Sequence, residues 1–182
     1  YEPGKGVVDK CYSLRGGYIR DFHFDAEGYS LPAEFLARQD KIYQWSLHVA
    51  REALRDSGYW GREEALRRCG LVLGNLSFPT GSSHKLLASV YTDTAEKALR
   101  ELLDDPDFRM PDHRQPRPEN EILDYTTSQL VVDALGLGGG HYALDAACAT
   151  SLYAIKLAGD ELLTGQADLM LAGAVCASDQ LF

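Results

Sequence analysis

Between Pro32 and Ser57 the apolar residues Phe35, Ile42, Trp45, Val49 and Ala53 recur at three- and four-residue steps, while Arg51, Glu52 and Arg55 fall elsewhere. That spacing predicts one long amphipathic helix, ended by Gly58. The pattern then changes character. Gly70-Leu-Val-Leu-Gly74 is a short apolar run bounded by glycines, as expected of a buried strand in an α/β sheet. Turn-forming residues from Asn75 to Ser83 predict a loop. After it comes a helix from His84 to about Leu103, capped by Ser82 or Ser83, with Leu87, Tyr91, Ala95, Ala98 and Leu102 on one face.

The stretch 104–120 holds Pro106, Pro111, Pro116 and Pro118 among charged residues. Four missing N–H donors are too many for a central helix or strand, so this is expected to be a surface excursion within one domain spanning 1–182. Beyond it the alternation resumes. A helix is predicted from Glu121 to Leu135 with Gly136 past its end, then a turn at Gly138-Gly139-Gly140 and a strand from His141 to Asp145. A helix from about Ala149 to Thr164, with Gly165 as its C-cap, and a strand from Asp168 to Val175 complete the series. In that last helix Leu152, Ile155, Leu162 and Leu163 are expected inward, with Lys156, Asp160 and Glu161 toward solvent. Helices alternating with short apolar strands predict a layered, mostly parallel α/β sheet.

Composition narrows the function. The 182 residues are 45% hydrophobic, enough for one sizeable core. A formal charge of −9, from 27 acidic and 18 basic residues, argues against a phosphate-backbone partner. No stretch approaches the roughly 20 apolar residues that span a bilayer, and Tyr1 to Lys10 does not read as a signal peptide, so a soluble, cytoplasmic setting is expected. Cys11, Cys69, Cys148 and Cys176 are widely separated, with no CxxC and no histidine at metal-ligand spacing. They read as free thiols rather than a zinc site or a disulfide framework.

The chemistry concentrates at Leu144-Asp-Ala-Ala-Cys-Ala-Thr-Ser-Leu152, where an apolar strand turns through small residues into a helix with a cysteine at the junction. Ala146, Ala147 and Ala149 leave room for a sharp turn and for an approaching substrate, as in a nucleophile elbow. Unpaired N–H groups at a helix N-terminus favour the thiolate, the reactive form, and could also hold an oxyanion. From spacing alone, Cys148 reads equally as a small buried hydrophobe. Cys11, Cys69 and Cys176 lack such a junction and read as structural.

Asp145-Ala-Ala-Cys-Ala-Thr-Ser151, followed by Leu152-Tyr-Ala-Ile-Lys-Leu-Ala158 and Ala167-Asp-Leu-Met-Leu-Ala-Gly-Ala174, resembles the active-site region of the beta-ketoacyl synthases, whose pattern is D-T-A-C-S-S-S, an apolar helix and a strand with a closing small-residue turn. Phe24-Asp25, Gln39-Asp40 and Ala50-Arg-Glu-Ala-Leu-Arg-Asp-Ser-Gly58 resemble the family's upstream segment. Ala146, Ala149 and Thr150 stand where the family usually has Thr, Ser and Ser, and Gly139-Gly140-His141 stands where it has Gly-Pro-Ser. Together with Asn75-Leu-Ser-Phe-Pro-Thr80, these departures are most similar to the ketosynthase domains of type I polyketide and polyunsaturated-fatty-acid synthases and of heterocyst-glycolipid-type synthases.

The resemblance implies a thiolase-like fold, layered α/β/α, of which this chain is the N-terminal half only. It implies that Cys148 accepts an acyl group from an acyl carrier protein and that a malonyl-carrier thioester then condenses with it by decarboxylation, with no metal or redox cofactor. It places the family's two catalytic histidines beyond Phe182, so that His23, His48, His84, His113 and His141 are structural, and this stretch alone would be inactive. It also implies a homodimer with Tyr142 and Leu144 near the interface, and makes Arg67, Arg68, Lys85, Arg109, Arg114 and Arg117 candidates for docking an acidic carrier, with solvated surface charges as the plainer reading. Two alternatives stay open: a coenzyme A-dependent thiolase-fold enzyme, and a catalytically silent ketosynthase-like partner subunit.

Overall fold

The computed structural model describes residues 8, 13, 15, 19–75, 81–110 and 124–176, with side chains from 91 and from 127 in the two helices that open the later stretches. The helices are α1 (Ala33–Ala37), α2 (Lys41–Asp56), α3 (Glu63–Leu66), α4 (Gly81–Leu103), α5 (Asp124–Leu135) and α6 (Thr150–Leu163). The strands are β1 (Cys69–Asn75), β2 (His141–Leu144) and β3 (Leu169–Val175). Among the described residues they form one parallel sheet in the order β2-β1-β3, with Val72 opposite Tyr142 on one side and Ala172 on the other.

Side chains alternate across a strand, and β1 uses both faces. Cys69, Leu71 and Leu73 join Leu47 and Leu54 of α2 and Val131, Ala134 and Leu135 of α5 in the larger core. Val72 faces the other way, against Ala154 and Ala158 of α6, with Tyr142, Leu144 and Met170 alongside. The α/β/α layering expected from the sequence is therefore present, with β1 central and buried along its whole length.

Four expectations need correction. The helix expected over Pro32 to Ser57 is two helices. The chain breaks at Arg38 to Asp40, and Asp40 starts α2 by accepting the Ile42 amide on its carboxylate at 3.3 Å. The buried stripe of α2 is Ile42, Tyr43, Ser46, Leu47, Arg51 and Leu54, whereas Val49 is exposed. Arg51 is buried because its guanidinium has partners on all sides. It donates to the carbonyls of Asp25 (3.0 Å) and Glu27 (3.2 Å), pairs with Asp25 and Glu52, and lies over the Tyr29 ring. The Glu27 amide together with Arg51 holds the Asp25 carboxyl below the usual carboxylate range, and burial raises the Tyr29 hydroxyl to about 12.

The second helix begins at Gly81, so Ser82 and Ser83 lie inside it rather than capping it, and Tyr91 and Leu102 of its expected apolar face are 63% and 79% exposed. Downstream, residues 104–107 and 109 are exposed, and the segment folds back on α4: the Met110 amide donates to Glu96, and Arg100 donates to the Phe108 carbonyl. The rest of the proline-rich excursion, and residues 121–123 of the helix expected after it, lie outside the described residues.

The largest correction concerns α6. Leu152, Ile155 and Leu163 are 70%, 60% and 87% exposed, and the inward positions are Thr150, Ala154 and Ala158. The cause is close approach. Gly74 on β1 leaves so little room that an added Cβ would lie 2.2 Å from Thr150 Cγ2, so α6 presents its small residues to the sheet and its leucines outward. Such an apolar strip is expected to make the 182-residue chain, produced alone, self-associate and bind an apolar dye. The double substitution Leu152→Lys with Leu163→Lys should lower both signals in light scattering and dye fluorescence.

Candidate active site

β2 ends at Leu144, and the chain turns through Asp145 and Ala146 into a single 3-10 turn, Ala147–Ala149, before α6 begins at Thr150. The strand-to-helix junction read from the sequence is thus a short tight turn rather than a direct passage into the helix. Its strain sits at Ala147, whose φ of +49° is a left-handed conformation rare for a residue with a side chain. Alanine is the smallest residue that can carry that strain with a Cβ.

Side-chain oxygens hold the turn. The Ala147 amide donates to Asp145 Oδ1 at 2.9 Å. The Ala146 amide donates to Thr150 Oγ1 at 2.8 Å, and the same hydroxyl donates to the Ala147 carbonyl at 2.6 Å. The Ala149 amide closes the turn on the Ala146 carbonyl at 3.1 Å. Cys148 lies inside this frame with its side chain exposed, at the carboxyl end of the parallel strands, where open α/β sheets place their ligand sites. In this chain Cys148 is thus exposed, unlike a small buried hydrophobe.

Among the other described thiols only Cys69 differs from Cys148 in burial. Cys69 is buried, and burial raises its thiol to about 11, which leaves it inert at neutral pH. Cys176 is exposed just past β3, and Cys11 lies outside the described residues. Among the described histidines, His23 is exposed, His48 packs edge-on against Phe22, and His141 shares a hydrogen bond with Gln129 at 3.1 Å. The side chains of His84 and His113 lie outside the described residues.

Of the arginines considered for carrier docking, Arg68 is committed to a two-contact ion pair with Asp168, whose carboxyl it lowers. Arg109 donates to the carbonyls of Pro106 and Phe108, and Arg67 is exposed beside Gly138. Lys85, Arg114 and Arg117 have no described side chains. Tyr142 and Leu144 point to the α6 face of the sheet rather than outward along the edge of β2. Among the described residues no three His, Cys, Asp or Glu side chains gather as a metal site, and no helix is long and apolar enough to cross a membrane. What sequence reasoning missed is Thr150, noted only as a departure from a motif; its hydroxyl spans the turn because Ala147 is left-handed, and no sequence signal announces that.

The family model described as "Beta-ketoacyl synthase, N-terminal domain" matches residues 1–179. The chain is 30% identical over its whole length to one polyunsaturated fatty acid synthase subunit of Thraustochytrium sp., and 34% identical over 79% of its length to a second polyunsaturated fatty acid synthase subunit of the same organism. It spans 7% of each of these curated relatives. Among solved structures, a protein described as "PfaC Keto synthase-Chain length factor" is 48% identical, with a TM-score of 0.78 over 97% of this chain and 19% of that one. Ketosynthase twelve of the bacillaene polyketide synthase of Bacillus amyloliquefaciens has a TM-score of 0.52 over 82% of this chain and 22% of that one; at 19% identity it shares the fold alone.

Proposed function

Since the chain belongs to the beta-ketoacyl synthases and carries the N-terminal part of their thiolase-like fold, we propose that Cys148 is the nucleophile of a condensing enzyme that elongates a fatty-acid or polyketide chain. One observation carries the reading: an exposed cysteine, framed by small residues, on a strained turn at the carboxyl end of a parallel sheet.

The steps balance without a metal or redox cofactor. The Cys148 thiolate attacks the thioester carbonyl of an acyl group on an acyl carrier protein; the new C–S bond forms and the carrier thiolate leaves. A malonyl-carrier thioester then loses carbon dioxide, and its carbanion attacks the acyl-Cys148 carbonyl. The Cys148 thiolate departs, and the product is a beta-ketoacyl thioester on the carrier. Oxyanion charge develops beside the Cys148 amide, which lies between amides engaged by Asp145 and by the Ala146 carbonyl.

In this reading a second subunit of the same fold, a further copy or a chain-length-factor-like partner, pairs along the outer edge of β2, which ends the described sheet. The test supplies the full-length protein with acyl-carrier and malonyl-carrier thioesters. One carbon dioxide released per beta-ketoacyl product formed is expected; a protein that binds both carriers and forms no product is a silent partner, and the condensing reading falls.

A further inference from the structure

We propose that Thr150 is a positioning residue for the Cys148 turn, an inference that rests on the reading of Cys148 as the acyl-accepting nucleophile. Thr150 is 3% exposed, and its hydroxyl both accepts from and donates to the backbone of the turn ahead of the cysteine. It accepts from the Ala146 amide and donates to the Ala147 carbonyl, so it bridges the two ends of the Ala146-Ala147 pair that contains the left-handed residue. Its methyl group is fixed independently. Cγ2 fills the space left by the missing side chain of Gly74 on β1, beside Ala174 on β3. A β-branched side chain pinned at its methyl has one rotamer open to it, so the hydroxyl is aimed at the turn before any substrate arrives.

Sheet packing is thereby converted into the placement of a sulfur. Gly74 admits the methyl, the methyl orients the hydroxyl, and the hydroxyl holds Ala147 so that Cys148 and its amide face an incoming carbonyl together. The hydroxyl acts through the backbone of the turn, by its bonds to the Ala146 amide and the Ala147 carbonyl.

The test compares full-length wild type, Thr150→Val and Thr150→Ser, scoring Cys148 acylation by intact mass with a saturating acyl-carrier thioester. Alkylation of the same cysteine by iodoacetamide at high pH, which needs no oriented donor, is scored in parallel. Valine keeps the shape and removes the hydroxyl; acyl transfer is expected to slow on the order of 30-fold, the scale of a misplaced reacting group, while alkylation stays within about twofold. Serine keeps the hydroxyl but loses the methyl that aims it, so acyl transfer is expected to slow only about threefold, between wild type and valine. Equal acylation of wild type and Thr150→Val overturns the inference, as does serine behaving like valine, and so does an equal fall in acylation and alkylation, which marks a merely structural role. If Thr150→Val does not fold, the serine variant decides: acylation slowed about threefold with alkylation unchanged supports the inference, and acylation equal to wild type overturns it. If wild type itself does not load, the Cys148 reading falls and takes this inference with it, an outcome distinct from wild type loading and valine matching it.

Discussion

Cys148→Ala is expected to bring condensation by the full-length protein down to background, a loss on the order of a million-fold, the scale seen when a covalent nucleophile is removed. The size follows from the proposed mechanism, in which no acyl-enzyme forms without the thiol and the single-step alternative is as slow as in solution. The fold should be indifferent. Cys148 is exposed and alanine already flanks it on both sides, so the change in stability is expected to stay within about 0.5 kcal/mol. Product formation and a denaturation curve on the same preparation separate the two effects.

Gly74→Ala is the second large effect, acting through packing. The new Cβ would lie 2.2 Å from Thr150 Cγ2 and 2.9 Å from Ala174 Cβ, distances that force α6 or β3 to move. Overpacking of this kind costs about 3 kcal/mol. Because the displaced residue clamps the Cys148 turn, acylation should fall along with stability. Removing the struck methyl relieves part of the strain, so Gly74→Ala with Thr150→Ser is expected to be more stable and to load faster than Gly74→Ala alone. A double-mutant cycle in urea checks this, and strictly additive effects would contradict the contact.

The central strand was legible because glycines bound its apolar run. The run read as Gly70 to Gly74 is Cys69–Asn75, and the strands read as His141 to Asp145 and Asp168 to Val175 are His141–Leu144 and Leu169–Val175. Helix faces were less legible, for a reason particular to this chain. Reading inward positions from large apolar residues assumes ordinary spacing between helix and sheet, but Gly74 lets α6 approach β1 so closely that Ala154 and Ala158 face in. Arg51 was misplaced for a different reason: its burial depends on carbonyls of Asp25 and Glu27, distant in sequence, that satisfy its guanidinium. The site divides in the same way. The turn at Cys148 was legible because small residues mark it, and the family resemblance singled out its cysteine as the candidate, whereas the part of Thr150 depends on the backbone of Ala147, which three-dimensional packing alone sets.

The most direct measurement is intact-mass detection of covalent loading on the full-length protein, wild type against Cys148→Ala, after incubation with a medium-chain acyl-carrier thioester. A single acyl adduct on wild type that is missing from the alanine variant is the predicted result. An adduct that persists without Cys148, or no adduct on either protein, would contradict the assignment of this cysteine as the acyl-accepting nucleophile.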